Sequence, residues 1–402
     1  MSEQALSHLK VVELCNLVSG PYCTKLMADL GAEVVKIEPP GIGDQARTKG
    51  PFVGDKVNPE LSGLFLHLNT SKLGITLDVT TATGREILEK LLVQADIFVE
   101  DTPPGIAEKQ RLTYKYVEEL NPHLVMTSIT PFGKTGPYRD YKAYELNLHH
   151  AGGEGFLLPI QSSEPDREPV KVSDIVGDSI CGLTACLATL TAAYFATATG
   201  IGQHVDVSKQ DVLMTLVQNH VCTYANLGEV HDRLRKGFLT VLPMACKDGY
   251  IMMTIVSDSE WQSLVRCMGN PEWAKDERFA SWAGRHWWAE TEINPRVREW
   301  VSQYTKDELF HRLQAAGVAA VPVMTSEDLA KSPQLNERGF FAEIEHTVAG
   351  TLRYPTVSYQ FSKTPWRGSP APLLGQHNEP IYCERLGYSR RELTQLATAG
   401  II

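Results

Sequence analysis

The 402-residue chain is poor in the features that mark several common classes of protein. Its eight cysteines (15, 23, 181, 186, 222, 246, 267 and 383) form no Cys-x-x-Cys pair and no zinc-site spacing. Free thiols in a reducing compartment are therefore expected, and a structural metal is not. Basic residues are in deficit: 38 Lys and Arg against 48 Asp and Glu give a net charge of -10. That balance argues against a nucleic-acid surface and leaves any anionic ligand to a local basic patch. The opening Met-Ser-Glu-Gln-Ala-Leu-Ser-His has neither the basic nor the apolar region of a secretory signal. No run of about 18 apolar residues escapes a polar break, so no membrane span is expected. These absences together predict a cytoplasmic protein with neither nucleic-acid nor membrane partners.

What is present is an alternation of strand and helix signals. Leu9–Leu14 is β-rich, Gly20-Pro21 opens a helical pattern from Tyr22 to Leu30, and Gly31 is placed to end it. Glu33–Glu38 is the next strand, stopped by Pro39-Pro40. A second unit follows, with strand 74–78, helix 83–95 and strand 97–100, and then a strand over 124–129. Repeated βαβ units predict an α/β fold with a largely parallel sheet. The turn after the first strand reads Cys15-Asn16-Leu17-Val18-Ser19-Gly20-Pro21 and contains no G-x-G-x-x-G. The large domain is thus Rossmann-like without the NAD fingerprint.

Beyond residue 209 the pattern changes. A helix is expected over 211–224, then a basic connection at 233–238. Lys247-Asp248-Gly249-Tyr250 reads as a hairpin turn into a strand at 251–256. Helices are expected at 259–268, 294–304 and 306–316, with a last short strand at 318–323. This divides the chain into a large domain (1–209, completed by 365–402), a linker (210–227), a smaller α+β domain (228–330) and a return linker (331–364). Pro365–Pro372 has the composition of a rigid connector, and a polar helix is expected near 392–399. Six of the seven tryptophans fall between 261 and 300, where ordinary core packing is the expected role.

One aspartate stands out. Asp178, in Val-Gly-Asp-Ser-Ile-Cys-Gly, precedes a long run of small and apolar residues from Leu183 to Phe195. The run reads as a helix buried on most sides, with Asp178 at or just before its start. An N-cap is one reading, because a carboxylate accepts orphan backbone N–H bonds there. A nucleophile is the other.

Six motifs in order decide between these readings: Val11-Val12-Glu13-Leu14 with Gly20-Pro21, Gly31–Glu38, Gly43-Asp44, Asn69-x-x-Lys72, Gly200-x-Gly202–Ser208, and Leu374–Asn378. Carrying them nearly end to end, the chain resembles the class III CoA-transferases. That family holds formyl-CoA transferase, the carnitine CoA-transferases and the α-methylacyl-CoA racemases. The resemblance implies an interlocked dimer of two-domain chains, a homodimer or a heteromer with a homologous subunit. It also implies that Asp178 attacks a donor acyl-CoA and carries CoA as an aspartyl thioester, so that acyl-CoA esters and carboxylic acids are the substrates. Every step conserves a high-energy acyl bond, and no ATP, metal or permanently bound cofactor is required.

The segment Lys142-Ala143-Tyr144-Glu145 discriminates between branches. Racemases carry histidine where this chain has Tyr144, and tyrosine, titrating near ~10, is a poor base at neutral pH. Tyr144-Glu145 therefore points to transfer, with Tyr144 positioning the thioester and Glu145 near the acyl group or thiolate. The alternatives are a 2-methylacyl-CoA racemase and a non-catalytic CoA-binding subunit of a heteromer. His149 and His150 are expected to be structural. The resemblance further implies CoA contacts at Lys72, Lys109, Lys142 and the backbone of Asn16, Leu17 and Val18. Lys109 stands where the family usually has arginine, losing the bidentate fork, and Asp101 replaces a neutral asparagine. The region 237–248 lacks the glycine run that closes over the formyl-CoA transferase site. Arg139 and Lys209 are candidates to pair a second carboxylate, as in a dicarboxylate such as succinate.

Overall fold

The computed structural model describes residues 4–159, 166–173, 175–230, 233 and 243–402. It divides into two compact units: one formed by 1–158, 169–232 and 339–402, the other by 159–168 and 233–338.

The first unit is built on β1 (Lys10–Leu14), β2 (Glu33–Glu38), β3 (Leu73–Thr76), β4 (Ile97–Glu100), β5 (Val125–Thr130) and β6 (His204–Ser208). They form one sheet in the order β3-β2-β1-β4-β5-β6, every pair parallel. Val11, Val34, Ile97, Val99 and Val125 belong to one apolar core and Val12, Val35, Ile37, Phe98 and Met126 to another. Burial on both faces accounts for the Val and Ile content of β1, β2 and β4. The order reverses between β1 and β4, and a crevice at the C-terminal ends of the strands is where such sheets bind ligands.

Helix α1 (Ser19–Ala28) follows β1, α2 (Ala82–Leu92) follows β3, and α3 (Glu145–Ala151) precedes the long α4 (Val176–Thr199). Both α1 and α4 place small residues where they meet. A Cβ on Gly182 would lie 2.5 Å from the Ser19 carbonyl oxygen, so a side chain there would push the helices apart. With 24 residues and a mean hydropathy of 1.6, α4 is long and apolar enough to cross a membrane by length and composition. Thr184, Thr189, Thr191 and Thr197 break the apolar run and return their hydroxyls to carbonyls one turn back, which satisfies them within the helix. One face of α4, with Cys181, Ala185 and Thr189, is buried, while Leu187 and Tyr194 stand exposed on another.

The helix expected at 211–224 is broken, giving α5 (Lys209–Thr215) and a separate helix Gln218–Leu227. Residues 210–227 are thus largely helical and belong to the first unit. The return segment 331–364 is likewise no simple linker, since Phe341–His346 and Gly350–Pro355 pair as an antiparallel hairpin in the first unit. The C-terminal segment then closes on β3: His377 Nδ1 accepts from Gly74 N–H, Asn378 Oδ1 from Thr76 N–H, and Tyr382 OH donates to Thr76 O.

The second unit has a three-stranded antiparallel sheet of Met244–Cys246, Gly249–Thr254 and Ala319–Pro322. Lys247-Asp248 forms the tight turn between the first two. Trp261, Leu264, Phe279, Val297 and Leu309 fill its core, with Trp273 edge-on to Trp261 and Phe279. Most of the basic connection 233–238 and the first half of the stretch 237–248 lie outside the described residues.

Candidate active site

Three strand ends supply the site. The chain leaves β1 through Cys15–Val18 into α1, leaves β4 at Asp101, and leaves β6 directly into α5, whose first residue is Lys209. Against them comes the start of α4. Asp178 is the third residue of that helix, and Ile175 precedes it, so Asp178 is not the N-cap. Its carboxylate turns to the strand ends instead: Oδ1 accepts from Ser19 Oγ at 2.9 Å and from Lys209 Nζ at 2.9 Å. Among the described residues no hydrogen bond reaches Oδ2. The Asp178 side chain is 14 % exposed.

Burial opposes the charge on Lys209, but Asp178, aided by Asp101, outweighs it and holds the ammonium above its ordinary pKa. Asp101 is half-buried, and desolvation pushes its pKa up to about 7 against the pull of the Asn16 N–H, which donates to Oδ2 at 2.8 Å. Leu17 takes a left-handed φ of 63°, fixed by its N–H donating to Asp44 Oδ1 at 2.9 Å. Two of the three backbone N–H groups in the Asn16–Val18 turn are therefore already engaged by carboxylates.

Glu145 begins α3 and reaches the residue beside Asp178. Its Oε1 accepts from Gly177 N–H at 3.1 Å, and its Oε2 pairs with Lys171 Nζ at 2.7 Å. A Cβ on Gly177 would lie 2.7 Å from Glu145 Oε1, so a side chain there would make the end of the Glu145 side chain shift. Tyr144, just before α3, is exposed, and its N–H donates to the Asn147 side chain. His149 is buried, its Nδ1 3.5 Å from a Glu154 carboxylate oxygen, while His150 lies exposed beside it.

The sequence-derived cations separate. Lys72 is fully buried: its Nζ pairs with Glu13 at 2.9 Å and donates to Asn69 Oδ1 and the Pro21 carbonyl. Its ammonium is thus met by groups of the fold itself, away from solvent. Lys109 and Lys142 are exposed, with no ion-pair partner among the described residues. Arg139 is neutralised by Glu108 and Asp140 on the surface. Of the two candidates for a carboxylate partner, Lys209 alone touches Asp178. Ser19 and Lys171 were not singled out from the sequence. The signal for Ser19 was its place at the first turn of the helix after β1, and Lys171 sits in an irregular run that carries none. Among the described residues no group of three or more His, Cys, Asp or Glu could hold a metal ion.

The family follows from comparison with known proteins. A model of CoA-transferase family III matches residues 6–378. The chain belongs to CoA-transferase family III. It is 30% identical over 410 residues to the succinyl-CoA–D-citramalate CoA-transferase of Chloroflexus aurantiacus, covering 99% of this chain and 98% of that one. It is 30% identical over 390 residues to the succinate–glutarate CoA-transferase of Agrobacterium fabrum, covering 94% and 95%. It is 28% identical to a formyl-CoA:oxalate CoA-transferase of Rhodopseudomonas palustris over 99% and 97% of the two chains. A crystal structure of a CAIB/BAIF family protein from Brucella suis superposes with a TM-score of 0.83 at 30% identity, covering 95% of this chain and 99% of the other. The chain is an enzyme of the CoA-transferase type, and its substrates include CoA thioesters.

Proposed function

We propose that the enzyme moves CoA from a donor acyl-CoA to an acceptor carboxylic acid through an aspartyl-CoA thioester on Asp178. The observation that supports this most directly is the asymmetry of the Asp178 carboxylate, with both donors on Oδ1 and none of the described residues on Oδ2. Oδ2 attacks the donor carbonyl and expels CoA thiolate, giving an acyl-aspartyl anhydride. The thiolate attacks the aspartyl Cγ, the donor acid leaves with Oδ2, and the thioester remains. The acceptor carboxylate reverses the sequence, leaving as the new acyl-CoA and restoring Asp178. Glu145, fixed by Gly177 and Lys171, lies next to this chemistry, and Tyr144 orients the thioester. Lys109, Lys142 and the Asn16–Val18 turn bind CoA, the two lysines as exposed charges without competing carboxylates. No metal or resident cofactor takes part.

Succinyl-CoA is the donor to test first, since two relatives are named for succinyl-CoA or succinate. The protein works in the cytoplasm as an interlocked dimer, which would cover the exposed apolar residues Leu187 and Tyr194 of α4 and Tyr224 and Leu227 of the following helix. The deciding experiment is intact-protein mass spectrometry after incubation with succinyl-CoA, acetyl-CoA and other CoA esters, with and without hydroxylamine, and with Asp178→Ala alongside. A CoA-sized adduct that hydroxylamine converts to a hydroxamate at Asp178, and that the variant lacks, is the expected result. Absence of any adduct together with exchange of the substrate α-proton into solvent would replace transfer by racemisation.

A further inference from the structure

Resting on the aspartyl-thioester reading above, we propose that Ser19 and Lys209 form the oxyanion site for every step in which the Asp178 Cγ is attacked. Both donors lie 2.9 Å from the same oxygen, Oδ1. When Oδ2 leaves with the donor acid, Oδ1 is the atom that stays as the carbonyl oxygen of the thioester. Attack on Cγ by thiolate or by the acceptor carboxylate then forms a new bond at carbon and moves the C=O electron pair onto Oδ1. Collapse returns that pair and expels the leaving group. Oδ1 is thus the atom on which negative charge develops, and a hydroxyl and an ammonium already stand at hydrogen-bond distance from it.

The two donors come from separate elements that the fold holds rigidly. Ser19 opens α1, pinned against α4 where Gly182 meets the Ser19 carbonyl. Lys209 opens α5 directly from β6, and the Ser208 hydroxyl accepts from Asp211 N–H to fix that turn. Lys209 is largely buried, 19 % exposed, so its charge acts through little intervening water. Asp101 and Cys181 also bear on Lys209, as a half-buried carboxyl and a thiol whose Sγ lies 3.8 Å from the Lys209 carbonyl oxygen.

Ground-state and transition-state interactions differ in a useful way. In the free enzyme Lys209 shares a carboxylate charge spread over two oxygens, which does nothing to favour the first attack by Oδ2. In the thioester Oδ1 is neutral, and the tetrahedral state concentrates a full charge on it. The pair therefore accelerates the steps at Cγ and not the opening step at the donor carbonyl, as differential binding requires.

The test isolates a step at Cγ from the positioning of the carboxylate. Wild type, Lys209→Met and Ser19→Ala are each loaded with CoA from the donor that labels the wild type, freed of donor, and treated with hydroxylamine. Hydroxylamine attacks Cγ, releases CoA thiol and leaves an Asp178 hydroxamate, and intact mass follows the rate. The thioester in Lys209→Met is expected to react roughly 10²-fold more slowly than in wild type, and in Ser19→Ala about 10-fold more slowly. Ser19→Ala, which removes a single neutral hydroxyl, decides the matter should Lys209→Met fail to fold or load. If these residues merely hold the carboxylate for its own attack, the preformed thioesters will all react at one rate. Equal rates with normal loading overturn this inference alone. Failure of the wild type to load from any donor overturns the aspartyl-thioester reading and the inference with it.

Discussion

Two clusters of buried charge lie at the strand ends of the same sheet, and they are built on opposite terms. In the first, Lys36 joins Glu13 at 2.8 Å and Asp44 at 2.7 Å, and Lys72 joins Glu13 at 2.9 Å. All these side chains are fully buried, and the remaining oxygens are spoken for: Thr24 donates to Glu13, and Leu17 N–H donates to Asp44. Burial alone would raise the Glu13 pKa, but Lys36 and Lys72 overcome it and hold the carboxyl at about 2. The second cluster, Asp178 with Ser19 and Lys209, stops short of that closure. It keeps one carboxylate oxygen without a partner among the described residues and stays open enough to be reached. A charge that is wholly satisfied is part of the scaffold, and a charge satisfied on one side only is available for chemistry.

The sharpest way to break this contrast is Lys36→Met, which strips Asp44 of its cation and leaves Glu13 with Lys72 alone. We expect a loss of about 3–5 kcal/mol in the urea unfolding free energy. An unchanged midpoint would mean the closed cluster is not structural. Next is Asp101→Asn, which removes a half-buried carboxyl of raised pKa from between the clusters. In the wild type the folded state holds that proton more tightly than the unfolded state, so stability falls as pH rises from about 4 through about 7. The variant should be more stable at pH 8 by roughly 2–4 kcal/mol and should lose that pH dependence, and urea midpoints at pH 5 and 8 will show it. Identical slopes in the two proteins would count against a neutral Asp101.

Gly177→Ala probes the open cluster through Glu145. The added Cβ makes the Glu145 carboxylate shift at little cost to stability, and we expect at most about 1 kcal/mol of destabilisation with at least a 10-fold fall in kcat. Full activity would separate Glu145 from the reaction. The smallest structural effect belongs to Lys109→Ala and Lys142→Ala. Stability should stay within ~0.5 kcal/mol while KM for acyl-CoA rises several-fold. Should KM remain at the wild-type value in both, neither lysine contacts the phosphates.

Much of this contrast could not be read from the sequence, and the reason is physical. The β1–α1–β2 unit was legible because Val11–Leu14 and Val34–Ile37 are β-rich runs, each with one charge, set off by Gly20-Pro21, Gly31 and Pro39-Pro40, signals confined to a few neighbours in the chain. Asp178 was legible as a residue of interest, yet its role as an N-cap or a nucleophile turned on partners 159 and 31 residues away. Lys72 shows the converse. Its motif marked it as important, but whether a lysine meets a phosphate or a buried glutamate depends on which way it points once β1 and β3 flank β2. The hairpin at 341–355 was missed because each strand buries few apolar side chains, Ile344 on the first and Leu352 and Tyr354 on the second, set between exposed Glu343, Glu345 and Arg353 that read as linker composition.

The closure of β3 by residues 377–382 has a consequence for how this chain is made. Gly74 and Thr76 find partners in His377, Asn378 and Tyr382, roughly 300 positions further on. While a ribosome is still synthesising the second unit, the outer strand of the parallel sheet has emerged but its cover has not. An uncovered strand edge of that kind invites pairing with a neighbouring nascent chain. The order of synthesis thus makes the final tens of residues the step that retires an aggregation-prone surface, and a chain shortened before His377 should collect in inclusion bodies even though every residue around Asp178 is intact.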